Sequence, residues 1–156
     1  NIVAFKWDDS HEYAFCLKYN QERLAYTNSA NAIPLIRLPE MYYVIAECTP
    51  SAQESADILN KVRQSRGIPY SEELQAAGFD SPDANSVENK QQTRRINEIM
   101  KEYRKEFYAE GQLFFFLKAH NYSTYYGCGL ANMTSKEYQM PLPDNEKIFG
   151  NNSTTK

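Results

Sequence analysis

The sequence predicts a mainly α fold: an αα-hairpin packed on a long helix, with a small N-terminal β-hairpin and long loops. Three observations predict it. Apolar residues recur at three- and four-residue spacing in three stretches after residue 37, the signature of helices with one buried face. Period-two alternation is confined to the first 20 residues. Proline, glycine, asparagine and aspartate gather between these stretches, where they favour turns.

Ile2 to Trp7 is rich in strand formers, and Asp8-Asp9-Ser10 is good turn material. Tyr13, Phe15, Leu17 and Tyr19 then alternate as on a strand with one buried face. Residues 20–32 are polar and asparagine-rich and read as a loop. The first helix follows, with Leu38, Met41, Tyr42, Ile45 and Cys48 on its apolar face and Pro39 in its first turn. Thr49-Pro50-Ser51 breaks it, Ser51 serving as N-cap of the next helix with Glu54 as its capping-box partner. That helix buries Ala52, Ala56, Leu59 and Val62 and ends at Gly67. Two helices joined so tightly form the unit from which tetratricopeptide-like arrays are stacked, and one such pair needs a neighbour to cover its apolar face.

Residues 68–90 read as loop with a short helical turn at 71–76. A long helix is expected from between Val87 and Thr93 to about His120. Its stripe is Ile96, Ile99, Met100, Tyr103, Phe107, Phe114 and Leu117, and Gly111 is a weak point in it. Tyr122 to Gly129 is a polar aromatic loop, Met140-Pro141-Leu142-Pro143 is extended, and the tail from Gly150 frays.

A chain of 156 residues suffices for one domain with a real core. The formal charge of −3 argues against nucleic acid, as no basic patch is present. No apolar run approaches the ~20 residues that cross a bilayer. A leader with a basic start and apolar centre is lacking, and Asn1 to Phe5 reads as an internal segment or a processed start. Cys16, Cys48 and Cys128 are too dispersed for a structural zinc site. Cys48 is expected to be a small buried hydrophobe, and an oxidising compartment would allow one Cys16–Cys128 disulfide. Asn121, Asn132, Asn151 and Asn152 begin N-x-Ser/Thr triplets, a weak signal in an asparagine-rich chain.

Four segments, in order, carry a resemblance. Ile36-Arg37-Leu38-Pro39-Glu40-Met41-Tyr42-Tyr43 with Ala46-Glu47 is similar to an "R-L-x-E-x-Y-L-x-x-A-E" helix, and Leu59 to Arg63 with Arg66-Gly67 to "L-N-x-V-R-x-R-G". Ile99 to Gly111 is similar to "I-x-x-E-R-x-x-E-F-x-x-E-G", and Met140 to Pro143 with Glu146 to "P-I-P-x-x-E". These patterns belong to the SusD/RagB family of outer-membrane nutrient-binding lipoproteins, and the whole of 1–156 resembles the C-terminal part of such a protein as a single domain. The resemblance implies a cell-surface glycan-binding protein that caps a TonB-dependent, SusC-like transporter barrel and holds an oligosaccharide or peptide for import. Its membrane attachment would be an N-terminal lipid anchor not present in this chain. The chain departs from the family where "x-R-W-F-D-L-K-R" is expected. Gln112 to Ala119 stand there, with Phe116 in the acidic position and both arginines absent. The closing "Q-N-P-G" is replaced by Asn151-Asn152-Ser153.

Glu102, Glu106 and Glu110 share one helix face at four-residue spacing. A carboxylate pair for glycoside hydrolysis is one reading. Ion pairing of Glu106 or Glu110 with Arg37 or Arg63 inside the helix packing is the preferred one. His11 and His120 stand alone, without a nucleophile or ligand set beside them, so no catalytic residues, no cofactor and no metal are expected. Twelve tyrosines are many for this length. A sugar site needs an exposed ring beside hydrogen-bonding groups. Trp7, Tyr122, Tyr125 and Tyr126, with Asn121 and Asn132 nearby, meet that requirement; the alternative is that Trp7 is hairpin core and the tyrosines cover the helix end. Against glycan capture stands a second reading, a helical-repeat scaffold that binds a protein partner and no sugar.

Overall fold

The computed structural model describes residues 5–10, 13–16 and 35–140. The expected loop over 20–32, the prolines after Met140, the tail, His11 and the triplets at Asn151 and Asn152 lie outside these residues. Strands β1 (Phe5–Asp8) and β2 (Tyr13–Cys16) pair antiparallel, Phe5 opposite Cys16 and Asp8 opposite Tyr13. Trp7 is 56% exposed on β1 and is not hairpin core.

The described residues are mainly helical. Helix α1 (Leu38–Cys48) and helix α2 (Ala52–Ser65) are joined by three residues. Ser51 caps α2 by accepting from the Glu54 backbone N–H at 3.2 Å. The Glu54 carboxylate, however, takes the Thr49 hydroxyl and so does not close a full capping box. Gly67 adopts φ +84°, and the pair Gly67 N–H to Gln64 O and Ile68 N–H to Arg63 O ends α2 in a Schellman turn. Ser55 Oγ donates to the Ala46 carbonyl at 2.6 Å across the tight turn. Arg37, before α1, and Arg66, after α2, both reach Glu106, so the two helices run antiparallel.

The apolar face expected for α1 is the outer one. Leu38, Met41 and Ile45 are exposed, and so is Cys48, while Tyr43 and Ala46 are buried. The physical reason is that α1 is apolar almost all round, so spacing alone cannot choose between two stripes. For α2 the expected face is the buried one: Ala56, Leu59 and Val62 lie in the core, with Ala52 packed against it.

A second difference concerns the long helix, which is two helices. Helix α3 (Arg94–Glu106) opens on a Thr93 cap, and helix α4 (Gln112–Ala119) follows a turn in which Ala109 and Gly111 have φ of 62° and 90°. The α3 ladder ends where the Glu106 carbonyl accepts from Arg37 Nη2 at 2.7 Å. Folding α4 back delivers Phe116 and Leu117 to the core beside Tyr103 and Phe107. Tyr43, Tyr103, Phe107 and Phe116 form a continuous ring cluster with centroid separations of 4.7 to 6.0 Å. The expected helical turn at 71–76 is a 3-10 turn at Tyr70–Glu72. Asn60 clamps the next residues, exchanging two hydrogen bonds with Leu74 at 2.8 and 3.0 Å. Cys128 is a free thiol, and the side chain of Cys16 lies outside what the structure describes.

Leu59 is fully buried where α2 faces its neighbours. Leu59→Ala is expected to lose about 2–5 kcal/mol of unfolding free energy in urea titration. A Cβ at position 111 would meet nothing within 4 Å, so Gly111→Ala tests backbone strain alone. It is expected to cost about 1–2 kcal/mol, and Gly111→Asn less.

Candidate functional site

Two constructions stand out: a seam of ion pairs between the helices, and a polar cleft built from loops. In the seam, Arg37 Nε and Nη2 donate to Glu110 at 3.2 and 2.7 Å, Nη1 pairs with Glu106, and the guanidinium lies 4.8 Å from the Phe107 ring centroid. Arg66 adds a two-pronged contact to the Glu106 carboxylate at 2.8 and 3.0 Å. Arg63 pairs with neither Glu106 nor Glu110. It donates to Glu102 at 2.8 Å and to the Glu72 carbonyl at 3.0 Å. Glu102 and Glu106 stand on α3, whereas Glu110 falls in the turn after it and not on the shared helix face that the spacing predicts. Each is held by cations, Glu102 by Arg63 and Lys105, Glu106 by Arg37 and Arg66, and Glu110 by Arg37. This arrangement fixes helix packing and does not poise a carboxylate pair for acid–base chemistry.

The cleft, of about 530 Å³, lies between the loop 85–91 and Ser123 and Thr124. Both walls are irregular chain, yet each is anchored by buried polar groups. Asn97, fully buried on α3, donates to the Asn89 carbonyl and to Asp83 Oδ2, both at 2.9 Å, and accepts from the Tyr122 hydroxyl at 2.7 Å. Tyr138 in turn donates to the Tyr122 carbonyl at 2.7 Å. Glu88, 4% exposed, accepts from Arg104 and from the Tyr126 backbone N–H at 2.9 Å. Gln92 ties the first wall to the second through the His120 carbonyl at 2.6 Å. Groups such as Asn85, Ser86, Lys90, Gln91, Ser123 and Thr124 are left lining the opening.

The aromatic residues expected to contact sugar divide. Tyr122 is fully buried, and burial, then Glu88 and Asp83, pushes its phenol far up; it is part of the foundation and not a contact. Tyr125 is half-buried, its phenol raised by burial and then by Cys128. Tyr126 is 70% exposed, two residues after the cleft wall at Thr124, with Arg104 6.0 Å from its ring centroid. Asn121 lines a separate cleft with Lys118 and Gln139, and Trp7 lines neither. Asn132 is exposed. Sequence reasoning missed Glu88, Asn97 and Arg104. Asn97 and Arg104 were legible only as polar positions on α3, and nothing in the loop marked Glu88 as buried. Arg66 was missed as a partner of Glu106, although it stands in the second of the four segments.

Arg37→Met is expected to lower stability by about 3 kcal/mol, because it leaves Glu106 and Glu110 short of a partner. Arg37→Lys should not restore it, since an ammonium cannot fork between two carboxylates and a carbonyl. An unchanged melting temperature for Arg37→Met would show the seam to be dispensable. Tyr122→Phe strands the buried Asn97 oxygen and is expected to cost about 1–3 kcal/mol in denaturant titration.

A family model described as the SusD family matches residues 3–156. No curated protein and no solved structure gives a significant match. Over nearly its whole length, therefore, this chain belongs to the SusD family, whose members are glycan-binding proteins of nutrient uptake.

Proposed function

We propose that the chain captures an oligosaccharide in the cleft between residues 85–91 and Ser123-Thr124, with the Tyr126 ring as an adjoining platform. The observation that carries this reading is the cleft itself. Its volume of about 530 Å³ falls in the range of small-ligand sites, and hydroxyl, amide and ammonium groups line it over a buried polar foundation. An exposed tyrosine beside such groups suits the C–H face of a sugar. The work done is binding, without cofactor or metal, and delivery to a TonB-dependent, SusC-like barrel at the cell surface, the chain being held there by a lipid anchor at the N-terminus of the full-length protein. No helix among the described residues is long and apolar enough to cross a membrane.

The second reading, a tetratricopeptide-like scaffold for a protein partner, draws on the outer face of α1, where Leu38, Met41, Val44 and Ile45 are exposed together. The same face serves the first reading if a transporter subunit covers it.

Calorimetric titration with a panel of oligosaccharides separates the two. Capture predicts saturable binding that Tyr126→Ala weakens about tenfold, in line with the loss of one stacking ring and its shielding. Absence of binding across the panel, together with co-purification of a protein partner that Met41→Glu abolishes, would favour the scaffold.

A further inference from the structure

A smaller cleft, of about 240 Å³, opens between α1 and α4 on another part of the molecule. Glu40 and Glu47 line it from α1, seven residues and two turns apart, hence on one face. Glu47 lies 3.1 Å from His120 Nε2, while Glu40 has no ion-pair partner among the described residues. Tyr103, only 6% exposed, forms part of the floor, and its hydroxyl makes no hydrogen bond among the described residues. Burial first, then both carboxylates, push that phenol up to about 12. Gln112 lines the same cleft, and its Oε1 is buried without a hydrogen-bond partner. Phe115 and Phe116 supply an apolar wall.

Such a cleft holds acceptors short of donors: Glu47 has His120, while the Glu40 carboxylate and the Gln112 Oε1 atom have no partner among the described residues. Two carboxylates and a buried amide oxygen converge beside aromatic rings, and a buried acceptor left unmade is costly. A resident metal does not fit the donor set, as no group of three or more metal-competent side chains occurs among the described residues. A primary ammonium does fit: it offers three N–H donors, a full positive charge for the carboxylates, and attraction to an aromatic face.

We propose that the α1–α4 cleft binds an organic ammonium group, with Glu40 and Glu47 as its charge partners and Gln112 Oε1 as a third acceptor. The size of the cleft suits a single amine-bearing unit such as a 2-amino sugar, or the end of a lysine side chain. The inference makes no use of the 85–91 cleft, so the two proposals fail independently.

The test is titration of the whole chain with D-glucosamine, N-acetyl-D-glucosamine and Nα-acetyl-lysine amide, followed by calorimetry and by amide shifts on α1 and α4. Glucosamine is expected to bind and its N-acetylated form not to. Glu40→Gln and Glu47→Gln should each weaken binding at least about tenfold, the consequence of losing a charge-assisted hydrogen bond. Tyr126→Ala should leave it unchanged. Binding of the lysine amide in place of glucosamine would keep the ammonium site and assign it to peptides. Equal binding of glucosamine and its N-acetylated form, indifference to both glutamate substitutions, or no binding of either amine at millimolar concentration would overturn the proposal. Glu40→Gln removes no internal ion pair among the described residues, so its circular dichroism and melting curve should match the parent and keep the comparison clean.

Discussion

At the point where the chain enters α1, one guanidinium meets two carboxylates, a main-chain carbonyl and an aromatic face. Arg37 spans Glu106, Glu110 and Phe107, and Arg66 shares Glu106 from the far end of the helical hairpin. The start of α1, the end of α2 and the turn between α3 and α4 are therefore held to one spot. Such a seam selects an arrangement more than it adds stability, because each charge gives up hydration to enter it. Selection is what α1 requires. A helix apolar on nearly every side can rotate about its axis at little hydrophobic cost, so burial alone does not set its facing. With Arg37 anchored to α3, Tyr43 and Ala46 are turned inwards, and Tyr43 meets Tyr103 and Phe107 at 5.4 and 6.0 Å. The same guanidinium satisfies the Glu106 carbonyl, one of the acceptors that the end of α3 leaves without an intrahelical partner, and the turn through Ala109 and Gly111 brings α4 back on the ring cluster.

The loops depend on a different device. Chain from Phe79 to Thr93 and from Asn121 to Tyr138 has little regular structure, and long stretches of that kind are entropically costly to order. Here the order comes from buried side chains that act as surrogate backbone partners. Asn97 uses both of its amide hydrogens on the first loop and its oxygen on the second. Glu88 receives a guanidinium and a main-chain N–H. Isolated, each buried polar group would destabilise the fold. Satisfied together, they hold two irregular segments in one relation, which a cleft between them needs.

How legible all this was in the sequence varies with the kind of interaction. The face of α2 could be read because polar and apolar residues alternate sharply there, whereas α1 offered two equivalent stripes and the wrong one was chosen. Gly111 was visible as a weak point, but the Arg37 guanidinium that holds the end of α3 comes from 69 residues before Glu106 and leaves no local trace. Ion pairing of Arg37 with α3 followed from the resemblance and from glutamates spaced on one face; the diversion of Arg63 to Glu102 depends on small differences in position along the helices. In the aromatic loop, composition announced a cluster of rings, yet only tertiary contact distinguishes Tyr122, locked beneath Asn97, from Tyr126, which stands in solvent. A tyrosine's two characters, apolar body and polar tip, suit both places equally well.

Phe116 shows how a departure from a family pattern can be internally consistent. The family pattern that Gln112 to Ala119 resembles would put an acid at that position and an arginine on either side; this chain carries none of the three. Phe116 lies 6% exposed, stacked on Tyr103 at 4.7 Å, packed on His120 at 4.4 Å and close to Tyr122. A carboxylate among those rings would require a cation of its own, and α4 supplies only Lys118, which points to solvent. Removing the acid and both arginines together therefore eliminates a charge and its expected partners in one step, and exchanging buried charges for packed apolar groups is often neutral or stabilising. What is gained is a ring floor common to the core and to the α1–α4 cleft. The carboxylates of Glu40 and Glu47 share that cleft with this aromatic wall, and His120 stands beside Glu47.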